Sequence, residues 1–218
     1  LRRIAERTAG FSGADLANLL NEAAIFTARQ NRTTVTMLDC ISAMEKVLLG
    51  PERKSKMMSE QEKKITAFHE AGHAVVAHYL PHADPVQKIS IISRGRAGGF
   101  TLKTPAQDRN YMTFSQFKAD LAVMLAGQLA EEQTFNEVST GASSDLQSAT
   151  SLARKIVTRF GMSKLGPRTF GQSEEMIFLG REIHEQRDYS EKTAQAIDGE
   201  ISRLLDEART VAAKILTA

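Results

Sequence analysis

The sequence predicts a mainly α-helical fold with one small β-hairpin. Three observations carry that expectation. A Ser or Thr with an acidic or amide side chain three residues on, the pattern that caps a helix start, recurs at Ser12–Asp15, Thr36–Asp39, Ser59–Glu62, Thr113–Gln116 and Ser144–Gln147. After each one, apolar residues return every third or fourth position, the period of a helix with one buried face. Only two short stretches are β-branched or aromatic enough for strands, and no repeat or low-complexity tract interrupts the pattern.

Taken in order, the first capped segment carries Leu16, Leu19, Leu20, Ala23, Ala24 and Phe26 and predicts a helix over 13–29. The second carries Ile41, Met44, Val47 and Leu48 and is stopped by Gly50–Pro51. Residues 1–50 thus read as a small helical unit. The charged, aperiodic stretch 51–58 reads as an exposed connection, with a boundary near residue 55. A third helix from Ser59 carries Ile65, Phe68, Gly72, Val75, Val76 and Tyr79 and ends before Pro81. Val86–Ile92 and Gly99–Lys103 read as strands joined through Ser93–Gly98. Thr113 opens a helix over 114–132 with Phe117, Leu121, Met124, Leu125 and Leu129 inward. Ser144 opens another with Leu146, Ala149, Leu152, Ile156 and Val157. The last helix, 190–217, presents Ile197, Ile201, Leu204, Leu205, Ala208, Val211 and Ile215.

Composition narrows the function classes. With 218 residues, 42% hydrophobic and 25% charged, the chain can bury a sizeable core and is not disordered. No apolar run approaches the roughly 20 residues of a membrane span. Lys plus Arg (28) against Asp plus Glu (26) leaves +2, with no block of five like charges, so no footprint for nucleic acid or anionic lipid is visible. Cys40 is the only cysteine, which excludes an internal disulfide and a Cys-rich zinc knuckle and fits a reducing compartment. Any metal must therefore be held by His and carboxylates. The chain opens at Leu1 without Met or a charged-then-apolar leader, so a fragment of something longer, without a signal peptide, is expected.

The chemistry centres on His69-Glu70-Ala71-Gly72-His73. Imidazoles four apart on a helix leave the same face and can reach one Zn²⁺ at about 2.0 Å. Zinc acidifies water and polarises a carbonyl, and a carboxylate beside it, here Glu70, can take up the proton. Metal-assisted amide hydrolysis is the reaction class implied. With five His and 17 Glu in the chain, chance would produce such a motif only about 0.01 times. His78, His82 and His184 read as ordinary solvated histidines. A catalytic zinc takes three protein ligands, so one more is needed. The metzincin continuation would require Gly at 76 and His at 79, where this chain has Val76 and Tyr79. Two options stay open: Asp145, behind the small-residue loop Ser139–Ser144, or Glu131 or Glu132 near the end of the 114–132 helix. Each also has a plain role, Asp145 as an acid at a helix start and the glutamates as a solvated helix end or a brace for a ligand imidazole.

Several further motifs carry a resemblance. Gly10-Phe-Ser-Gly-Ala-Asp-Leu-Ala-Asn18 with Asn21-Glu-Ala-Ala24, Phe68-His-Glu-Ala-Gly-His-Ala74, Arg94-Gly-Arg96, Leu125-Ala-Gly127 with Ala130-Glu-Glu132, Ser139-Thr-Gly-Ala142 with Asp145-Leu146, and Phe178-Leu-Gly-Arg181 follow one another along nearly the whole chain. In that order they resemble the carboxy-terminal part of a membrane-anchored, ATP-dependent zinc metalloprotease of the FtsH type. The resemblance implies an AAA ATPase lid and linker over 1–55 and a zinc metallopeptidase domain over 56–218. It implies one zinc per chain held by His69, His73 and Asp145, with Glu70 as general base. A homo-hexamer is implied too, one that threads unfolded or membrane-extracted polypeptides into an enclosed chamber and works on the cytoplasmic side of a bacterial inner membrane or its organellar equivalent.

Departures from the family pattern matter as well. No Gly-Lys pair occurs, so the phosphate-cradling loop is absent and ATP would be used by a part of the protein outside this chain, as would the membrane anchor. Gly13 and Ala14 match the family's second nucleotide sensor, though here a tight helix start is the simpler role. An unfolded substrate is expected to pair with the strand at Gly99, Phe100, Thr101 and Leu102, an edge that Gly98 would loosen because relatives carry a larger apolar residue there. The alternative from a different class is an assembly module of the ATPase ring with an incidental metal site.

Overall fold

The computed structural model describes residues 2–8, 10–52, 58–94, 98–103, 109–171 and 189–218. Gly95 to Ala97 of the hairpin connection, most of the 51–58 connection, the Phe178–Arg181 motif and His184 lie outside the described residues. The fold is mainly helical with a small antiparallel sheet. In chain order it comprises α1 (Arg2–Ala5), α2 (Gly13–Arg29), α3 (Met37–Leu49), α4 (Glu60–Tyr79), β1 (Val86–Ser90), β2 (Phe100–Lys103), α5 (Phe114–Phe135), a 3₁₀ turn (Thr140–Ala142), α6 (Ser143–Thr158) and α7 (Glu191–Thr217).

The caps explain most of these starts. At Ser12, Thr36, Ser59 and Thr113 the hydroxyl accepts the N–H three residues on, and the side chain there accepts the cap residue's own N–H. Two otherwise orphaned helix donors are satisfied each time, worth roughly 1 kcal/mol per cap. Ser190 starts α7 by accepting the Thr193 N–H.

The exception is α6. Ser144 does not cap it; the helix begins one residue earlier, continuous with the 3₁₀ turn, and Ala142 at the cap position makes no side-chain hydrogen bond. The turn supplies what a cap would have supplied, since the Ser143 N–H already bonds Thr140 O and Ser139 accepts from Gly141. Other departures are smaller. α5 runs three residues beyond 132 and is closed by Asn136 in the left-handed conformation, φ 54°. The strands are shorter than 86–92 and 99–103, and α1 has no counterpart in the sequence reading.

Among the described residues two apolar clusters form. Leu19, Ala23, Cys40, Ala43 and Met44 hold α2 against α3, with Phe26, Val47 and Leu102 packed on them. The larger cluster joins α4, α5, α6 and α7 through Val76, Leu121, Leu125, Ile156, Ile197 and Leu204 among others. Leu121, Ile156, Ile197 and Leu204 are almost fully enclosed, and each such side chain contributes about 1.5–3 kcal/mol. α4 crosses α5 closely because Gly72 has no side chain: a Cβ there would lie 2.6 Å from both Ala126 O and Ala130 Cβ. That approach brings the imidazole-bearing face of α4 onto α5.

Candidate metal centre

His69 and His73, one helical turn apart on α4, are both buried. Each ring is fixed from behind. His69 Nδ1 lies 2.6 Å from Glu131 Oε1, and His73 Nδ1 lies 2.6 Å from the Val123 carbonyl oxygen, both acceptors on α5. A proton on each Nδ1 serves these acceptors, which leaves each Nε2 with a free lone pair. The two Nε2 atoms are 3.1 Å apart, and Asp145 Oδ2 sits 3.1 Å from one and 3.5 Å from the other.

Those separations test whether zinc fits. Donors about 2.0–2.1 Å from a tetrahedral ion stand roughly 3.3–3.4 Å from one another, close to the three distances observed. Three electron-rich atoms converging in this way repel unless a cation or proton lies among them, so the donor set suits a divalent ion. Among the described residues, His69, His73 and Asp145 are the group of three such side chains near enough to share one. Gly127 on α5 forms the floor: a Cβ there would fall 2.6 Å from His69 Nε2 and His73 Nε2. No larger residue leaves room for the imidazole tips.

The carboxylates take different places. Burial works against the charged form of Asp145, yet the two imidazoles beside it outweigh that effect and hold the carboxyl well below the usual range. Burial likewise opposes the charged form of His69, but Asp145 and Glu131 more than offset it, leaving the imidazole above its ordinary pKa. This negative potential is what a bound cation would answer. Glu131, 2% exposed, sits behind the His69 ring with its other oxygen accepting the Ser139 N–H at 2.8 Å. It braces the ligand helix and the loop before α6 together. Glu132 faces outward and pairs with Arg209 at 2.6 Å. Of the three acids considered from sequence, only Asp145 stands on the Nε2 side.

Glu70 is buried next to this set, within electrostatic reach of His69, His73 and Asp145. Burial pushes its carboxyl up, while the Thr101 hydroxyl and the imidazoles pull the other way; burial prevails. Thr101 Oγ1 donates to Glu70 Oε2 at 2.7 Å. The strand β2 is therefore beside Glu70, with Phe100 buried and Thr101 committed to the carboxylate. Gly99 precedes the strand at a point where a Cβ would meet Ser90 O and Thr66 Cγ2 at 2.7 Å. Among the described residues β2 pairs only with β1. Neither the Val123 carbonyl, nor Gly127 as a floor, nor Thr101 as a partner of Glu70 stands out in the sequence, where the Leu125-Ala-Gly127 motif is the one available signal.

Residues 56–218 match the model of peptidase family M41, and residues 1–42 match that of the AAA+ lid domain. Over 99% of its length the chain is 56% identical to an ATP-dependent zinc metalloprotease FtsH 1 of Thermomicrobium roseum, covering 33% of that protein. It is 54% identical over its full length to a protein of the same name from Sphaerobacter thermophilus, covering 33% of it, and 53% identical to the ATP-dependent zinc metalloprotease FtsH of Veillonella parvula, covering 34%. The chain thus spans about a third of the length of these relatives.

Proposed function

This chain belongs to peptidase family M41, and on that premise we propose that it is the zinc-dependent endopeptidase part of an ATP-dependent protease. Residues 56–218 form the peptidase and 1–55 the carboxy-terminal part of an AAA lid with its linker. His69, His73 and Asp145 hold the zinc, supported above all by the 3.1–3.5 Å spacing of their inner atoms. When bound, zinc supplies Lewis acidity, lowering the pKa of water and polarising the scissile carbonyl.

The chain's own residues do the rest. Glu70 accepts the proton that the attacking water loses and delivers it to the departing amine nitrogen, a role suited to a carboxyl whose pKa burial raises. Glu131 and the Val123 carbonyl keep the imidazoles turned so that their Nε2 atoms face the ion. Gly99, Phe100, Thr101 and Leu102 offer an edge with which an extended substrate backbone pairs. Substrates are unfolded or membrane-extracted polypeptides, delivered by a homo-hexamer whose ATP-using and membrane-anchoring parts lie outside this chain, at the cytoplasmic face of a membrane; nucleic acid has no part. Among the described residues no helix is long and apolar enough to cross a membrane. An incidental metal site on an assembly module has no need of two imidazoles each braced from behind.

Metal content tests the ligand set. Asp145→Ala is expected to lower zinc occupancy below one per chain, whereas Glu132→Ala keeps the wild-type value. Zinc lost from the second variant and kept by the first would overturn the assignment.

A further inference from the structure

Outside the metal centre, a buried charge cluster joins α3 to the hairpin. Glu45 on α3 is 2% exposed, yet both its oxygens are taken by cations from beyond the connection. Lys88 Nζ on β1 is 2.6 Å from Oε1, and an Arg94 terminal nitrogen, just past β1, is 3.0 Å from Oε2. The same Arg94 nitrogen reaches Glu52 at 2.6 Å, and Glu52 and Arg94 also form a backbone bridge. Buried ion pairs add little net stability because desolvation consumes most of the attraction. They do punish misplacement, since moving one partner leaves a buried charge alone. A cluster of this kind therefore specifies where α3 sits on the hairpin.

The hairpin register continues the link. Lys88 stands opposite Leu102, and Ile89 opposite Thr101. Successive residues of a strand face opposite sides. Lys88 and Leu102 accordingly share the side that meets the first unit: Lys88 pairs with Glu45, and Leu102 packs on the Leu19–Met44 cluster. Thr101 faces the other way, and its hydroxyl donates to Glu70. One residue pair on β2 thus touches the lid-like unit with one member and the proposed proton acceptor with the other.

We propose that Glu45 and Thr101 are positioning residues that couple the first helical unit to peptidase chemistry, with Glu45 fixing the β1–β2 hairpin so that Thr101 holds the Glu70 carboxylate in its working orientation. This rests on the reading of Glu70 as the proton acceptor. The position of α3 then sets the peptidase rate without any contact between α3 and substrate.

The test is a double-mutant cycle on the 218-residue chain with unfolded casein as substrate, using Glu45→Gln, Thr101→Val and the pair. Thr101→Val is expected to lower kcat about tenfold with KM unchanged, the loss of one hydrogen bond to a charged group, and Thr101→Ser to restore it. Glu45→Gln lowers kcat by a smaller factor and adds nothing once Thr101 is Val. In the metal-free chain, Glu45→Gln speeds amide hydrogen exchange along β1 and β2, a readout independent of catalysis. Zinc content stays at the wild-type level in every variant, which separates a failure here from a failure of the ligand assignment. Wild-type kcat in Glu45→Gln, losses that multiply in the pair, or unchanged exchange would each overturn the coupling. Should Glu45→Gln not fold, Lys88→Met, which removes one half-exposed cation, carries the same expectations.

Discussion

Gly127 shows how a residue with no functional group can decide whether the metal centre exists. Helix interiors favour Ala over Gly by about 1 kcal/mol, so Gly127→Ala would ordinarily stabilise α5. Here the added methyl lands 2.6 Å from the Nε2 atoms of both His69 and His73. The rings cannot swing aside without giving up Glu131 and the Val123 carbonyl. Zinc affinity of Gly127→Ala is therefore expected to fall by about tenfold or more, the scale on which disturbed ligand orientation is felt. Zinc titration monitored with a chromophoric competitor measures it, and wild-type affinity would show that the floor has slack. The imidazole pair was legible from sequence because its four-residue spacing is a local property of one helix. The bracing role of Glu131 was legible only as one option among several, and the bond from Thr101 to Glu70 not at all, since their partners lie 62 and 31 residues away. Residue chemistry by itself does not separate Asp145 from Glu131, both carboxylates, and only the family resemblance favours Asp145; what differs in the structure is which side of the His69 ring they occupy.

At the level of elements, local signals reach as far as their hydrogen bonds do. A capping box closes within four residues, so α2, α3, α4 and α5 could be read from their starts. The start of α6 escaped this logic because the preceding loop is anchored from α5, where Glu131 accepts the Ser139 N–H. The cap of α3 also has a second function. Asp39 accepts hydrogen bonds from the Thr36 N–H and hydroxyl, from Thr27 on α2, and from both terminal nitrogens of Arg32. Arg32 first and Thr36 next hold its carboxyl well below the usual range. Folding lowers this pKa, so the unfolded chain binds the proton more readily, and the stabilisation is present above about pH 4 and lost as the solution is acidified beyond that. Asp39→Asn is expected to unfold at lower urea than wild type at pH 6, with the gap narrowing at pH 2.5. A gap independent of pH would mean that the charge of Asp39 contributes nothing.

Among the described residues, two apolar clusters are joined by a hairpin that touches both, and the metal centre lies where α4, α5 and the start of α6 meet. The mainly helical class was legible because capping patterns or apolar periodicity mark each long element, even α5, which is buried on most sides and so lacks a single apolar face, whereas the junction between units was not, since no sequence pattern announces that Glu45 is enclosed by Lys88 and Arg94. The proposed peptidase chemistry depends on Glu70 acting as a proton carrier beside a metal that other residues hold. Glu70→Gln keeps the size of the side chain and its bond from Thr101 while removing the basic oxygen. It is expected to retain one zinc per chain and to lose at least about a hundredfold in the rate of casein cleavage, the lower end of what general-base catalysis contributes. Zinc at full occupancy with cleavage undiminished would contradict the account.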